Sequence, residues 1–372
     1  MSGRLHFRIF AHSWVSDWNH GNAHFLRGLA RELHALGHEV RCYEEYGSWS
    51  LTNLVRREGH EAERAIEQFH REFPELDVRV YQRNEGFQHG LREELSGADV
   101  VIIHEWNNQD VVDGILSLKG KLGFRALLHD THHRAYTNPR EILRFPLHLF
   151  DGVLAFGETI RRIYAEGFGV ERTWTFHEAA DIAHFSPREK NQSIDLLWIG
   201  NWGDEERTRE LREFLIEPVS DLSEVRAVVY GVRYPDEGKA ALASAGIDYR
   251  GYLPNLAAPD VYAHSLLSLH VPRRQYANGL AGIPTIRVFE ALACGSTLLC
   301  APWNDAEHLF RPGQDYIITN SGEEMKSAIQ WLLRDKAARQ QIAKSGLQTI
   351  LQNHTCAYRA LQLVEICKEL SR

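Results

Sequence analysis

The sequence predicts an α/β protein with two parallel sheets, and three observations carry that expectation. Short apolar runs recur along the chain, each ending in a polar or glycine-containing loop. Amphipathic helical segments separate these runs, which makes βαβ units and hence parallel pairing. The strand, loop and helix that open the chain are repeated from about residue 194, and 372 residues suit two domains.

Taken in order, Phe7–Ala11 (FRIFA) reads as a buried first strand. The polar loop His12 to Gly21 leads into a helix at Asn22–Leu36. Phe25, Leu26, Leu29, Ala30 and Leu33 share one face of it, Asn22 is placed to cap it, and Gly37 to stop it. His38–Tyr43 is the second strand, and Ala98–His104, Arg125–His129 and Gly152–Phe156 read as further strands. Two of them end in polar clusters, Glu105-Trp106-Asn107-Asn108 and Asp130-Thr131-His132-His133. In open parallel sheets ligands bind beyond the carboxyl ends of strands, so these clusters lie where a site would be.

The second half opens with Ile194–Gly200, the loop Asn201-Trp202-Gly203-Asp204 and a helix at Glu205–Leu215. Only Gly200 and Gly203 are present, so the three-glycine dinucleotide fingerprint is missing, which argues against a nicotinamide dehydrogenase. A helix N-terminus open to phosphate is still consistent with the pattern. Strands are expected at Val225–Tyr230, Ile247–Gly251, Leu266–Val271 and Thr297–Ala301. The first three end in, respectively, Gly231-Val232-Arg233, Tyr252-Leu253-Pro254 and Pro272-Arg273-Arg274. The glycine-rich loop Asn278–Pro284 leads into a helix at Thr285–Cys294, stopped by Gly295.

Composition narrows the function classes. With 44% hydrophobic and 25% charged residues the chain is neither disordered nor collagen-like. A net charge of −8 argues against a nucleic-acid binder that relies on broad phosphate neutralisation. The five cysteines are odd in number and lack CxxC spacing, which points to reduced thiols in a cytoplasmic protein. No apolar run approaches the roughly 20 residues of a membrane span, and no signal peptide or transmembrane segment is expected.

Several residues stand out chemically. Glu290 is a carboxylate in an apolar helix and needs a partner. That partner is either a salt bridge, to Arg287 or Arg273, or the diol of a ribose. Arg233, Arg273, Arg274 and Arg287, at strand ends and loop–helix junctions, form a candidate phosphate site within an acidic chain. His104, His129, His132 and His133 show no metal-ligand spacing, and no metal is expected. His129 reads either as a strand-end histidine bonded to backbone or as a substrate contact.

Four segments then carry a resemblance. Gly28–Val40 (GLARELHALGHEV), Glu178–Pro187 (EAADIAHFSP), Gly251–Pro254 (GYLP) and Gly282–Gly295 (GIPTIRVFEALACG) resemble GT-B fold glycosyltransferases of the family-4, or group 1, type, near bacterial spore-maturation-type enzymes. Pro312–Arg334 is similar to the family's later donor-domain loop and helix, and residues 44–97 match least. The resemblance implies two Rossmann-like domains facing a central cleft. Residues 1–186 would bind the acceptor and residues 187–355 the donor, with a helix at 356–372 crossing back to the first domain.

It further implies transfer of a hexose-type sugar from a nucleotide diphosphate sugar to an acceptor, with retention and without a metal. Arginines and helix N-terminal amides would stabilise the leaving diphosphate. Glu290 would bind the ribose hydroxyls, and Leu253 lies in the strand-end segment that reads the base. Gly282, Thr285, Arg287, Arg273, Arg233, Gly200 and Asn201 would line the donor site. Gly21 and Asn22 would lie near the donor phosphate, and His129 would touch the sugar near the reacting centre. Asp17, Glu105 and Asp130 are the candidate bases if the enzyme inverts. The co-substrate would be a UDP-sugar first and a GDP-sugar second, with no other cofactor. The acceptor stays open among saccharide, small molecule and protein, with nucleic acid not expected. The alternatives are a nucleotide-sugar epimerase or hydrolase on the same fold, and a non-catalytic nucleotide-sugar or partner-binding scaffold. There are two departures from the family pattern. Many members carry a second glutamate eight positions before the one matched by Glu290, where this chain has Gly282. The family's basic pair after the first donor-domain strand has only Arg207 or Arg209 as candidates.

Overall fold

The computed structural model describes residues 3–203 and 205–370. Asp204 of the expected loop and the last two residues of the expected 356–372 helix lie outside the described residues. The chain forms two compact units. One runs up to Glu178 and includes the segment from Cys356; the other is Ala179–Thr355.

The first unit is built on seven parallel strands. They are β1 (His6–Phe10), β2 (Glu39–Glu45), β3 (Asp77–Tyr81), β4 (Val100–His104), β5 (Arg125–Asp130), β6 (Gly152–Ala155) and β7 (Thr173–Thr175). Their order is β3-β2-β1-β4-β5-β6-β7, so the direction of winding reverses between β1 and β4. Every residue of β4 (VVIIH) is buried, as a central parallel strand covered on both faces requires. The helix Ala23–Ala35 buries Phe25, Leu26, Leu29, Ala30 and Leu33, and Gly37, at φ 88°, ends it. Asn22 departs from the expectation. It occupies the cap position with helical dihedrals, φ −66° and ψ −13°, and its side chain makes no cap hydrogen bond. The closing helix Cys356–Leu370 packs on Ala23–Ala35 and ties down the β7 side of the sheet. Arg359 Nε donates to the His177 carbonyl at 2.9 Å, and Gln362 Nε2 to the Thr175 carbonyl at 2.9 Å.

The second unit repeats the architecture with six parallel strands. They are β8 (Ile194–Ile199), β9 (Ala227–Tyr230), β10 (Asp248–Tyr249), β11 (Ser265–His270), β12 (Thr297–Cys300) and β13 (Ile317–Ile318), in the order β10-β9-β8-β11-β12-β13. The winding again reverses beside the unit's first strand, between β8 and β11. Leu196, Trp198, Val229, Leu267, Leu269 and Leu299 from the strands pack with Phe214, Leu215, Ile329 and Leu332 from the helices. The expected helix at Glu205–Leu215 is present as Glu205–Leu211, continued by a π-turn over Arg212–Ile216. The expected α/β class with two parallel sheets is thus the observed one.

Candidate functional site

Each sheet presents a switch point, and in each unit the polar residues gather at its carboxyl edge. In the first unit that edge carries the loop after β1 and the ends of β4 and β5. Two buried side chains organise the loop. Glu44, at the end of β2, accepts the amides of Trp14 and Val15, each at 2.6 Å, and the Ser16 hydroxyl. Arg27, on the buried face of the first helix, donates to the Trp14 carbonyl at 2.7 Å and pairs with Asp17 at 3.2 Å. Asp17 therefore serves the loop's scaffold. Gly21 and Asn22 follow it, half-buried, at the start of the helix. Asn107 Nδ2 bonds the Phe10 carbonyl at 2.8 Å and so fixes the end of β4 to the end of β1.

Parallel register sets His104 directly opposite His129, with ring centroids 5.5 Å apart. His12 and His20 from the β1 loop join them, 4.0 Å from each other and 5.5 and 6.0 Å from His104. Both ring nitrogens of His20, His12 Nδ1 and His129 Nε2 are buried without a hydrogen-bond partner. Burial pulls His12 and His129 down to about 3 and takes His20 and His104 well below the ordinary histidine range. Burial also raises Glu105 well above the usual carboxylate range and pushes Asp130 up to about 6. Asp130 accepts from Tyr164 Oη at 2.7 Å and from the His132 amide at 2.9 Å. The Arg134 guanidinium lies 3.9 Å above the Trp106 ring and donates to the Glu105 carbonyl at 2.8 Å. The result is a cluster of neutral imidazoles beside two acids whose charged forms burial disfavours, an arrangement able to exchange hydrogen bonds with uncharged hydroxyl groups.

In the second unit, Gly200 and Gly231 end β8 and β9 in close approach. Gly231 has φ 156°, and a Cβ on it would stand 2.0 Å from the Gly200 carbonyl oxygen. Tyr234 Oη donates to that same oxygen at 2.8 Å, and Tyr249 Oη to the Gly231 carbonyl at 2.8 Å. The Gly231 amide donates to the Gly251 carbonyl at 2.7 Å, which joins the GYLP segment carrying Leu253 to the same edge. Arg207 was only one of two candidates in the sequence, and it is the buried one. Its Nη1 donates to the Asn201 carbonyl at 3.0 Å, whereas the Arg209 side chain is 82% exposed. His270, at the end of β11, bonds Thr285 Oγ1 at 3.1 Å and is pulled down to about 3 by burial, with the Arg207 charge adding to the shift. Thr285 is the N-cap residue of the helix Ile286–Ala293 and spends its hydroxyl on His270 rather than on a cap bond.

Glu290, on that helix, is fully buried and takes the salt-bridge partner expected of it. Arg287 Nη1 lies 2.5 Å away and Tyr262 Oη 3.3 Å away. Among the candidate phosphate arginines, Arg287 is thus engaged with Glu290, and Arg274 with Glu210 at 2.9 Å. Arg233 is exposed on the loop after β9, and Arg273 is half-buried at the start of the short helix Arg274–Asn278. Gly282 is buried, with φ 88°. Among the described residues, the non-glycine positions with positive φ are Asn19, Arg233 and His308. They lie on the loops after β1, β9 and β12, so backbone strain is confined to the two carboxyl edges, the pattern expected of functional loops. No group of three or more His, Cys, Asp or Glu side chains among the described residues is arranged to hold a metal ion.

Sequence reasoning missed Glu44, His12, His20 and His270. A glutamate or histidine at a strand end gives no signal of burial until the strands are paired, although the concentration of histidines after β1, β4 and β5 was a visible hint.

Residues 207–365 match the profile of a family described as glycosyl transferase-like. Solved structures match along the whole length. Anabaena HepE in complex with UDP-glucose superposes with a TM-score of 0.71 at 13% identity, over 98% of this chain and 100% of its own. Sucrose-phosphate synthase from Thermosynechococcus elongatus gives 0.65 at 12% identity, over 99% of each chain. An α-glucosyltransferase in complex with UDP and a 13-mer DNA gives 0.66 at 12% identity, over 98% and 100%. No curated protein sequence matches significantly. The segment 207–365 is thus similar to glycosyl transferases, and the two-sheet architecture is the GT-B fold that these solved structures share.

Proposed function

We propose that the protein transfers a sugar from a UDP-sugar to an acceptor hydroxyl, with retention and without a divalent metal. The observation that carries this reading is the cradle at the carboxyl edge of the second sheet. Buried Arg207 sits on the Asn201 loop, beside His270 and Thr285 at the N-terminus of the helix that bears Glu290. The hard step is breaking the bond from the sugar's anomeric carbon to the β-phosphate oxygen, with the electron pair leaving on the diphosphate. A fixed guanidinium and the first amides of a helix stabilise that charge without reorganising. Glu290, oriented by Arg287 and Tyr262, takes the ribose hydroxyls, and the segment around Leu253 takes the base. HepE bound to UDP-glucose, a match along the whole chain, supports the choice of uridine.

Retention is favoured by the state of the acids at the first edge. Asp17 is committed to Arg27, burial disfavours the charged form of Glu105, and Asp130 is engaged by two donors; in the retaining reading the departing phosphate takes the acceptor's proton. His129 contributes a neutral imidazole to the sugar. A net charge of −8 supports an acceptor other than nucleic acid. The five cysteines form no disulfide, which supports the cytoplasm, and no helix among the described residues is long and apolar enough to cross a membrane.

The test is a thermal-shift panel of UDP, GDP, ADP and their glucose conjugates, followed by turnover in chelator. A ligand at about 100 times its dissociation constant adds roughly 2.7 kcal/mol, a rise of about 2–4 °C for domains of this size. A shift confined to uridine nucleotides and turnover that survives chelator are expected. No shift with any nucleotide overturns the donor reading, and activity lost in chelator and restored by magnesium overturns the metal-free scheme.

A further inference from the structure

The glycine-rich loop before the Glu290 helix has an empty side-chain position, and a glutamate from elsewhere in the chain fills it. Gly282 is buried, with φ 88°, and its amide donates to the Asn304 carbonyl at 2.7 Å. A Cβ on Gly282 would stand 2.6 Å from Glu307 Cγ and 2.9 Å from Glu307 Oε1. The Glu307 side chain therefore runs across the face of residue 282, and no larger residue fits there while it does. The two loops leave the carboxyl ends of β11 and β12, which are neighbours in the sheet.

The Glu307 loop is held firmly. Asp305 is buried and accepts the amides of Leu309 at 3.1 Å and Phe310 at 2.7 Å. His308, the next residue after Glu307, is locked at φ 54°, a conformation a histidine keeps only when its surroundings impose it. A half-buried carboxylate on an over-determined loop, at the edge where donor ligands of this architecture lie, is built to accept hydrogen bonds from a polyhydroxylated group.

We infer that Glu307, lodged in the space that Gly282 leaves, is a specificity-determining residue that accepts hydrogen bonds from the hydroxyl groups of the donor sugar. The inference rests on the donor reading above. A site built to bond a hydroxyl discriminates by leaving its own polar atoms unpaired when the hydroxyl is missing. Glu307 thus contributes to holding the sugar and not to holding the nucleotide.

Titration calorimetry on the full chain tests this with UDP, UDP-glucose, UDP-galactose and UDP-N-acetylglucosamine, for the wild type, Glu307→Gln and Glu307→Ala. The wild type should hold one of these sugars more tightly than UDP. Glu307→Ala should weaken that sugar nucleotide about tenfold while changing UDP affinity by less than about twofold, and Glu307→Gln should fall between. Equal losses for UDP and the sugar nucleotide, or no loss in either variant, overturn the role of Glu307. A wild type that holds UDP but no UDP-sugar more tightly also overturns it. A wild type that binds neither UDP nor any sugar nucleotide defeats the donor reading itself, before Glu307 is altered.

Discussion

Arg287 Nη1 and Glu290 Oε2 lie 2.5 Å apart, one turn from each other on the helix Ile286–Ala293. Glu290 is fully buried, and Tyr262 Oη at 3.3 Å also donates to it. Removing the arginine takes the oppositely charged partner from a buried carboxylate, which costs more than the pair itself contributes. Arg287→Ala should lower unfolding free energy by about 1–3 kcal/mol in urea titration, and Glu290→Gln by less. If Arg287→Ala is neutral, the pair neither orients Glu290 nor balances its charge.

Gly231→Ala should be among the most damaging small substitutions in the second unit. Its Cβ would stand 2.0 Å from the Gly200 carbonyl oxygen, which is backbone and also accepts from Tyr234 Oη. Relief requires the ends of β8 and β9 to part. A loss of about 2–4 kcal/mol in denaturant unfolding is expected. Unchanged stability would mean that the two strand ends are not held together as described.

The central strands were legible because burial on both faces writes a continuous apolar run, as in β4, β5, β8 and β11. Of the edge strands, β10 falls within the expected Ile247–Gly251, whereas β3, β7 and β13 were not legible. β3 (DVRVY) is exposed or half-buried throughout, β7 has three residues, and β13 has two. Their pairing comes from neighbours rather than from their own periodicity. The donor edge was partly legible: Glu290, Thr285 and Gly282 stand in one recognisable segment. Arg207 could not be told from Arg209, because a helix of charged residues does not say which of them faces inward. Glu307 was hidden for a different reason. It reaches the loop at Gly282 from 25 positions away, through strand pairing that the local sequence does not encode.

Arg207→Ala should separate diphosphate recognition from base recognition. The guanidinium bonds the Asn201 carbonyl and lies near His270, so it points its charge at the loop rather than at solvent. UDP affinity should fall about tenfold or more in calorimetry while uridine affinity changes by less than about twofold. Arg207→Lys should recover only part of the loss, because an ammonium lacks the planar fork. A parallel loss for uridine and UDP would instead make Arg207 a loop scaffold.

The histidine clusters fix the direction of the pH dependence of stability. His12, His129 and His270 are each pulled by burial to about 3, and His20 and His104 lie well below 6.5. In the unfolded chain all five protonate near 6.5. Between about pH 3 and 6.5 the unfolded state therefore binds more protons, and stability rises with pH across that window. Each group contributes at most about 1.4 kcal/mol per pH unit. Asp130, raised to about 6, and Glu105, raised well above its ordinary range, act in the opposite sense. Their stabilisation is present at low pH and is lost as pH rises through the folded value. Five groups outweigh two, so the urea midpoint should fall steadily from pH 7.5 to pH 5. His20→Asn should flatten the slope, since both His20 nitrogens are buried without a partner. A wild-type midpoint that stays level or rises on acidification would show that these imidazoles accept protons in the folded protein, and would remove the neutral cluster from the first edge.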